Sequence, residues 1–135
     1  LPLLMTDLGQ LLAGAVDGML AHMSLRWRPE HALTVVLAGR GYPGCPATGG
    51  ELLGIDRAAT LPGVHLFHAA TRRDGPRWLA AGGRVLAVTG VAPTLAQARE
   101  RAYAAVDTIQ WPEGFCRRDI GWRALGAARQ EGRGR

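Results

Sequence analysis

The first twenty residues carry large apolar side chains at intervals of three and four positions. The apolar positions are Leu4, Leu8, Leu11, Leu12, Val16, Met19 and Leu20. This spacing predicts a helix over residues 3–20 with one broad apolar face. A helix this apolar needs a surface to pack on, so we expect its apolar face to be buried against something outside residues 30–125.

Short apolar and β-branched runs further along the chain predict strands, at 33–38, 64–71, 77–80 and 84–89. The run 33–38 is apolar almost throughout, which predicts a strand buried on both faces. The later runs are separated by Asp74-Gly75 and Gly82-Gly83, which are residue types that form turns. We therefore expect these strands to form an antiparallel meander of hairpins.

A second helix is predicted to begin after Thr94. Thr94 and Gln97 have the spacing of a capping box, and Trp111-Pro112 ends the pattern. One face of this helix is apolar, with Ala98, Ala102, Ala105, Val106 and Ile109. The order of helix, strands and helix predicts an α+β fold, with a small antiparallel sheet of short strands and a C-terminal helix.

The glycines of the segment 39–44 have the GxGxxG spacing of a dinucleotide-binding loop, and they follow an apolar run. That loop requires a helix that starts within the glycines and holds the pyrophosphate. Pro43 and Pro46 exclude such a helix, and Glu51 and Asp56 come too early to hold the ribose. We interpret the glycines as a sharp turn that allows a close approach, either to a neighbouring strand or to a ligand.

The net charge is +5, and all sixteen basic side chains are arginines. They are scattered, which is weak support for nucleic-acid binding, whereas a guanidinium suits the phosphate of a small ligand. We expect no nucleic-acid partner. No apolar run reaches the ~20 residues of a membrane span, and we recognise no signal peptide, so we expect no membrane partner either.

The two cysteines are far apart and lack the spacing of metal ligands. We interpret Cys45 and Cys116 as free thiols of a cytoplasmic protein, with a disulfide or a metal site as the alternatives.

Six sequence blocks, in order, resemble the C-terminal part of the phosphoribosylamine–glycine ligase family, also called glycinamide ribonucleotide synthetases. The blocks are LPLLMTDL (1–8), VVLAGRGYPG (35–44), LFHAAT (66–71), GGRVLAVTG (82–90), RAYAAVDTIQW (101–111) and FCRRDIGWRAL (115–125). Together they extend over nearly the whole chain, from residue 1 to about residue 125, and it is their shared register that makes the resemblance specific.

The resemblance implies a ligase of purine biosynthesis with an ATP-grasp domain. Such an enzyme joins glycine to 5-phosphoribosylamine, uses ATP and Mg²⁺, and forms a glycyl phosphate. The resemblance also implies that the residues that bind ATP and the metal precede residue 1. The chain is then expected to be a fragment that partners the upstream ATP-grasp part, and by itself to be inactive and to bind neither ATP nor Mg²⁺.

The resemblance further implies a division of the chain. Residues 1–28 correspond to the terminal helix and linker of the ATP-grasp domain, and residues 29–125 to the C-terminal domain that closes over the active site. The basic stretch 126–135 is predicted to be a disordered tail. The alternative is a stand-alone, non-catalytic binding or interaction module derived from the same domain.

Four positions depart from the family pattern. Pro46 and Thr48 stand where an aromatic residue and a lysine are usual, Ala70 replaces a glycine, and Cys116 replaces a tyrosine. The role of the loop 45–50 therefore stays open.

The resemblance implies that Arg84 holds the ribose phosphate, because related purine ATP-grasp enzymes use an arginine at the start of a similar strand. The preceding Gly82 and Gly83 expose backbone N–H groups, and a guanidinium can bind phosphate through two hydrogen bonds. The alternative is a type I′ turn followed by a solvated arginine.

The turn formed by Gly39, Gly41, Tyr42, Pro43 and Gly44 is either a wall of the same substrate site or a connection between sheet elements. We predict no catalytic residue and no metal ligand in the chain.

Two further pairs are predicted to be structural. Arg117 and Asp119 are expected to form an ion pair that anchors the C-terminal segment. His65 and His68 are three apart on a predicted strand, so they face opposite sides and cannot form a close pair of metal ligands.

Overall fold

The computed structural model describes residues 1–131, with side chains described as far as residue 126. The helices are α1 (Leu8–Val16), α2 (Ile55–Ala59), α3 (Leu95–Thr108) and α4 (Trp122–Glu131). The strands are β1 (His31–Gly39), β2 (Val64–His68), β3 (Thr71–Asp74), β4 (Arg77–Ala80), β5 (Arg84–Ala92) and β6 (Gly114–Phe115). The predicted α+β class, with a small antiparallel sheet and a C-terminal helix, is confirmed.

The main sheet is antiparallel and has the strand order β2-β5-β1-β6, while β3 and β4 form a separate hairpin. The predicted meander is therefore wrong beyond that hairpin, because β5 pairs with β1 and β2 and not with β4. The two longest strands, β1 and β5, lie at the centre of the sheet.

Two segments of the sequence fold differently from their prediction. The stretch 64–71 is not one strand, because β2 ends at His68 and β3 begins at Thr71. The glycine-rich stretch 39–63 is not all loop, since it contains α2. Gly54 adopts a left-handed φ of 80° at the start of that short helix, and its carbonyl accepts a hydrogen bond from the amide of Ala58.

One face of the main sheet is covered by α3, whose start is capped by the Thr94 side chain accepting from the Gln97 amide, as predicted. The alanine stripe of α3 is fully buried and lets the helix lie close to β5. A Cβ added at Gly90 would lie 2.7 Å from the Ala102 amide nitrogen and also meet the Ala98 carbonyl. We call this the covered face; its sheet residues are Leu33, Val35, Leu37, Leu86 and Val88.

The opposite face, which we call the open face, carries the alternate residues of the same strands. Thr34, Val36, Phe67 and Ala87 lie on it, and Val36 is 43% exposed. The prediction that β1 is buried on both faces is wrong. Burial along β1 alternates from Leu33 to Leu37, because only one face of the sheet lies under α3.

The N-terminal segment contains a shorter helix than the one predicted over 3–20. Asp7 caps α1, and Gly18, with a φ of 70°, follows its end before a short 3₁₀ turn at Leu20–His22. Of the predicted apolar face, Leu11 is buried and Leu4 is half-buried, whereas Leu8, Leu12, Val16, Met19 and Leu20 are exposed. Burial of this face against another part of a longer enzyme stays a prediction.

At the other end, α4 continues as far as Glu131, which places helix in the first part of the predicted tail 126–135. The rest of that tail lies outside the described residues. None of the helices described is long and apolar enough to cross a membrane.

Candidate functional site

A β-bulge decides which way Arg84 points. Leu37 pairs with Leu86, but the next residue of β1, Ala38, pairs with Arg84, so Val85 is the extra residue of the bulge. Without the bulge, strict alternation would put Arg84 on the same face as Leu86. With it, Val85 is fully buried and Arg84 is exposed on the open face. Bulges are over-represented next to active sites because they redirect a side chain in this way.

The two glycine-rich turns that the sequence singles out meet beside Arg84. The Gly39 amide donates a 2.8 Å hydrogen bond to the Gly83 carbonyl. The Tyr42 ring lies against Gly83 so closely that an added Cβ would be 2.5 Å from Cδ2 of the ring. Gly83 therefore serves close packing, and the tyrosine is held against the backbone that precedes Arg84.

Different structural reasons explain why glycine stands at each position of these turns. Gly41 has a φ of 90°, which favours glycine, and an added Cβ would clash with the Cys45 carbonyl. Gly82 and Gly83 do not adopt the left-handed backbone, which a type I′ turn requires at both central positions. The type I′ alternative for this pair is therefore wrong; a Cβ at Gly82 would instead lie 2.8 Å from that of Ala70.

Two adjoining cavities open on this face, and they share Val36, Tyr42 and Arg84. The first has a volume of about 240 Å³ and lies between β5 and the segment after β6; we call it the groove. Its lining consists of Thr34, Val36, Ala38, Tyr42, Arg84, Phe115, Cys116, Arg117 and Ile120. The second cavity, of about 510 Å³, extends towards Ala69 and Ala87. Arginine side chains set among apolar and aromatic walls suit a small ligand that carries an anionic group.

The two arginines of the groove differ in their partners. Among the side chains described, Arg84 has no carboxylate within 4.0 Å. Arg117 donates two hydrogen bonds to Asp119, at 2.9 Å from Nε and 2.6 Å from Nη2. These hydrogen bonds lower the pKa of the Asp119 carboxyl and raise the pKa of Arg117. The predicted Arg117–Asp119 pair is present, but it lies at the surface.

The anchor of the C-terminal segment is the Tyr103 hydroxyl. It donates to the Arg117 carbonyl at 2.7 Å and accepts from the Ile120 amide at 3.2 Å. Arg99 adds hydrogen bonds to the carbonyls of Arg118 and Ile120. The backbone on both sides of Asp119 is therefore held from α3, by hydrogen bonds that do not involve the Arg117–Asp119 ion pair.

The remaining polar candidates have local roles. His68 shares a hydrogen bond of 2.9 Å with Thr71 and packs on the Trp78 ring. His65 projects to the other face of β2, as predicted. Cys45 and Cys116 are free thiols, and partial burial raises the pKa of Cys116.

The predicted site residues are thus partly brought together. Tyr42 and Arg84 line the groove, and Gly83 lines the adjoining cavity. Gly41, Pro43, Gly44 and Gly82 shape the turns without lining either cavity. Sequence reasoning missed the floor of the groove, which β1 forms with Thr34, Val36 and Ala38. It also missed the far wall, which includes Phe115 and Arg117. The polar Thr34 within the apolar run 33–38 is the one signal that this strand has an open face.

Comparison with known proteins identifies the family of this domain. A sequence profile described as "Phosphoribosylglycinamide synthetase, C domain" matches residues 32–123. The chain belongs to this family. It is 56% identical over 123 residues to the phosphoribosylamine–glycine ligase of Mesorhizobium japonicum, covering 91% of this chain and 29% of that protein. It is 47% identical over 122 residues to the chloroplastic enzyme of Arabidopsis thaliana, covering 89% of this chain and 23% of that protein.

A solved structure shares the fold. The crystal structure of phosphoribosylamine–glycine ligase from Thermotoga maritima matches with a TM-score of 0.61 and 30% sequence identity, over 80% of this chain and 27% of that one. The phosphoribosylglycinamide synthetase C domain described here therefore spans less than a third of the length of these relatives.

Proposed function

We propose that this chain acts as the C-terminal domain of a phosphoribosylamine–glycine ligase of purine biosynthesis, and that its groove contacts the phosphate of 5-phosphoribosylamine. The observation that carries the proposal is the placement of Arg84. A bulge turns its side chain onto the open face, Tyr42 packs on the preceding glycine, and no described carboxylate neutralises it. An exposed guanidinium with no carboxylate partner among the described side chains is suited to bind a phosphate bidentately.

The other components of the reaction are assigned to an upstream ATP-grasp part. Among the described residues, no three His, Cys, Asp or Glu side chains lie close enough together to hold a metal ion. We therefore derive no step through ATP or Mg²⁺ from this chain, and we propose that glycine, ATP and Mg²⁺ are bound upstream. The domain would contribute phosphate contacts and closure of the site, and positioning of this kind lowers the barrier without acid or base groups.

The proposed location is the cytoplasm. It is supported by the two free thiols, which are typical of a reducing compartment. The name of the plant relative places that protein in the chloroplast.

A chimeric enzyme tests the function. The matching C-terminal part of the Mesorhizobium japonicum ligase is replaced by this chain, and the chimera is expected to make glycinamide ribonucleotide. In that chimera, Arg84→Ala should raise the KM for phosphoribosylamine about ten- to a hundredfold, because one charge-assisted phosphate contact is lost. The KM values for ATP and glycine should stay nearly unchanged.

Arg72→Ala is the control, since Arg72 is an exposed arginine on the β3–β4 hairpin, outside both cavities. It should leave all three KM values as they are. An unchanged KM for phosphoribosylamine in Arg84→Ala would show that Arg84 is a solvated surface residue that does not contact the substrate. A folded but inactive chimera would favour the alternative, a stand-alone binding module.

A further inference from the structure

The wall of the groove opposite Arg84 carries a second arginine. Arg84 and Phe115 both pair with Ala38, from its two sides, so their backbones are about 10 Å apart, which is two strand spacings. Arg117 follows Phe115 by two residues and also lines the groove. Since both arginines line the groove, a phosphate group that enters it can be reached by a guanidinium from either wall.

Arg117 differs from Arg84 in that its guanidinium forms an ion pair with a carboxylate. The Asp119 carboxylate accepts hydrogen bonds from Nε and Nη2 of Arg117. The pair is solvent-exposed, with side chains 70% and 50% accessible. Solvent screens exposed ion pairs of this kind, so they contribute little to stability and the pair can open at small cost.

We propose that Asp119 is a competitor that holds Arg117 until substrate arrives, and that Arg117 then exchanges the carboxylate for the substrate phosphate. The charges favour this exchange, because a phosphate monoester carries about −1.5 to −2 at pH 7, against −1 for the carboxylate. The inference rests on the proposed function and deepens it: the groove would hold a phosphate monoester from two sides, with Asp119 setting the affinity.

A neighbouring pair provides a matched control. Arg118 donates to Asp107 at 2.6 Å, and these side chains are 62% and 58% exposed. Arg118 lies within 5.6 Å of the Tyr103 ring and lines a different cavity, beside Leu37 and Trp111. Removing the Asp107 carboxylate changes the net charge by the same amount as removing that of Asp119, but it frees an arginine outside the groove.

The test compares two substitutions in the chimera. Asp119→Asn should lower the KM for phosphoribosylamine about two- to fivefold, the gain expected when an exposed carboxylate no longer competes for Arg117. Asp107→Asn should leave it unchanged, and Arg117→Gln should raise it about tenfold, through a lost charge-assisted contact. Since Tyr103 and Arg99 fix the backbone around Asp119, Asp119→Asn should also unfold at the same temperature as the parent.

A binding measurement on the chain itself uses ribose 5-phosphate as the probe. Titration followed by NMR should shift the Nε–H signals of both Arg84 and Arg117, and Asp119→Asn should bind the probe two to five times more tightly, about the strength of an exposed ion pair.

The outcomes separate the two proposals. If Arg84→Ala weakens binding but Asp119→Asn leaves it unchanged or weakens it, the competitor role is wrong and the proposed function stands. Equal gains in affinity from Asp119→Asn and Asp107→Asn would show that the effect comes from net charge alone. That result would also overturn the inference. If Arg84→Ala has no effect, the phosphate site itself is wrong.

Discussion

Val35 and Val36 are neighbours on the same central strand, yet Val35 is fully buried and Val36 is 43% exposed. The difference extends over the whole sheet. On the covered face, the side chains of β1 and β5 pack beneath α3, whose alanines allow a close approach. On the open face, the same strands present a threonine, a valine and an arginine to a groove. Apart from the bulge at Val85, the two faces are built from alternating residues of the same strands, as the period of two in a strand requires.

This comparison separates two kinds of constraint. Packing on the covered face tolerates almost no added volume, since backbone atoms of α3 stand where a Gly90 side chain would be. The open face has free volume and a guanidinium, that of Arg84, with no carboxylate partner among the described side chains. This arrangement favours ligand binding over stability. We therefore expect substitutions on the covered face to change the free energy of unfolding, and substitutions on the open face to change substrate binding.

The largest expected effect comes from Gly90→Ala. The added methyl would collide with the backbone of α3 at Ala98 and Ala102, and neither the helix nor the central strand can move alone. We expect a loss of about 3 kcal/mol or more in the free energy of unfolding, as for severe overpacking, measured by urea denaturation.

Gly126→Ala is the control for this substitution, since an added Cβ there meets nothing within 4 Å and α4 is a helix, in which alanine is favoured over glycine by about 1 kcal/mol. It should be neutral or slightly stabilising. Equal stability of the Gly90 and Gly126 variants would show that α3 does not press on β5 in solution.

Local signals explain why part of the fold was predictable. The Thr94 cap and the alanine stripe of α3 lie within one short segment, so the sequence alone places them. Strand pairing is different, because β5 pairs with β1 and β2, and those strands are separated from it by many residues. The adjacent turn residues Gly82 and Gly83 favour a hairpin between β4 and β5, but β4 pairs with β3 instead, and Gly83 packs against Tyr42.

The site was predictable to a smaller extent. Resemblance to a family identified Arg84 and the turn at Tyr42, and the structure brings both to the groove. The face on which Arg84 lies depends on one extra residue, Val85, and no local pattern announces a bulge. The sequence predicts Arg117 to be structural, in an ion pair with Asp119. Its place in the groove could not be predicted, because β6 is only two residues long and gives no strand pattern to place the segment that follows it.

The next effect in size compares the two valines directly. Val35→Ala should lower the free energy of unfolding by about 2–3 kcal/mol, since it removes fully buried methyl groups and leaves a cavity. Val36→Ala should change it by less than about 0.5 kcal/mol, as is usual for surface positions. Urea denaturation of both variants measures the difference, and similar losses would mean that the open face is covered in solution.

The smallest expected effect extends the comparison to the helices. The α3 helix buries its apolar stripe, whereas Leu12 of α1 is 60% exposed. In this chain alone, Leu12→Glu should change the free energy of unfolding by less than about 0.5 kcal/mol. In the chimera it should destabilise by about 1.5 kcal/mol, because there the leucine would be buried against the ATP-grasp part. Denaturation of both proteins gives the two values. Equal values would mean that α1 keeps its apolar stripe in water in the longer enzyme as well, which would contradict the expected docking of this segment.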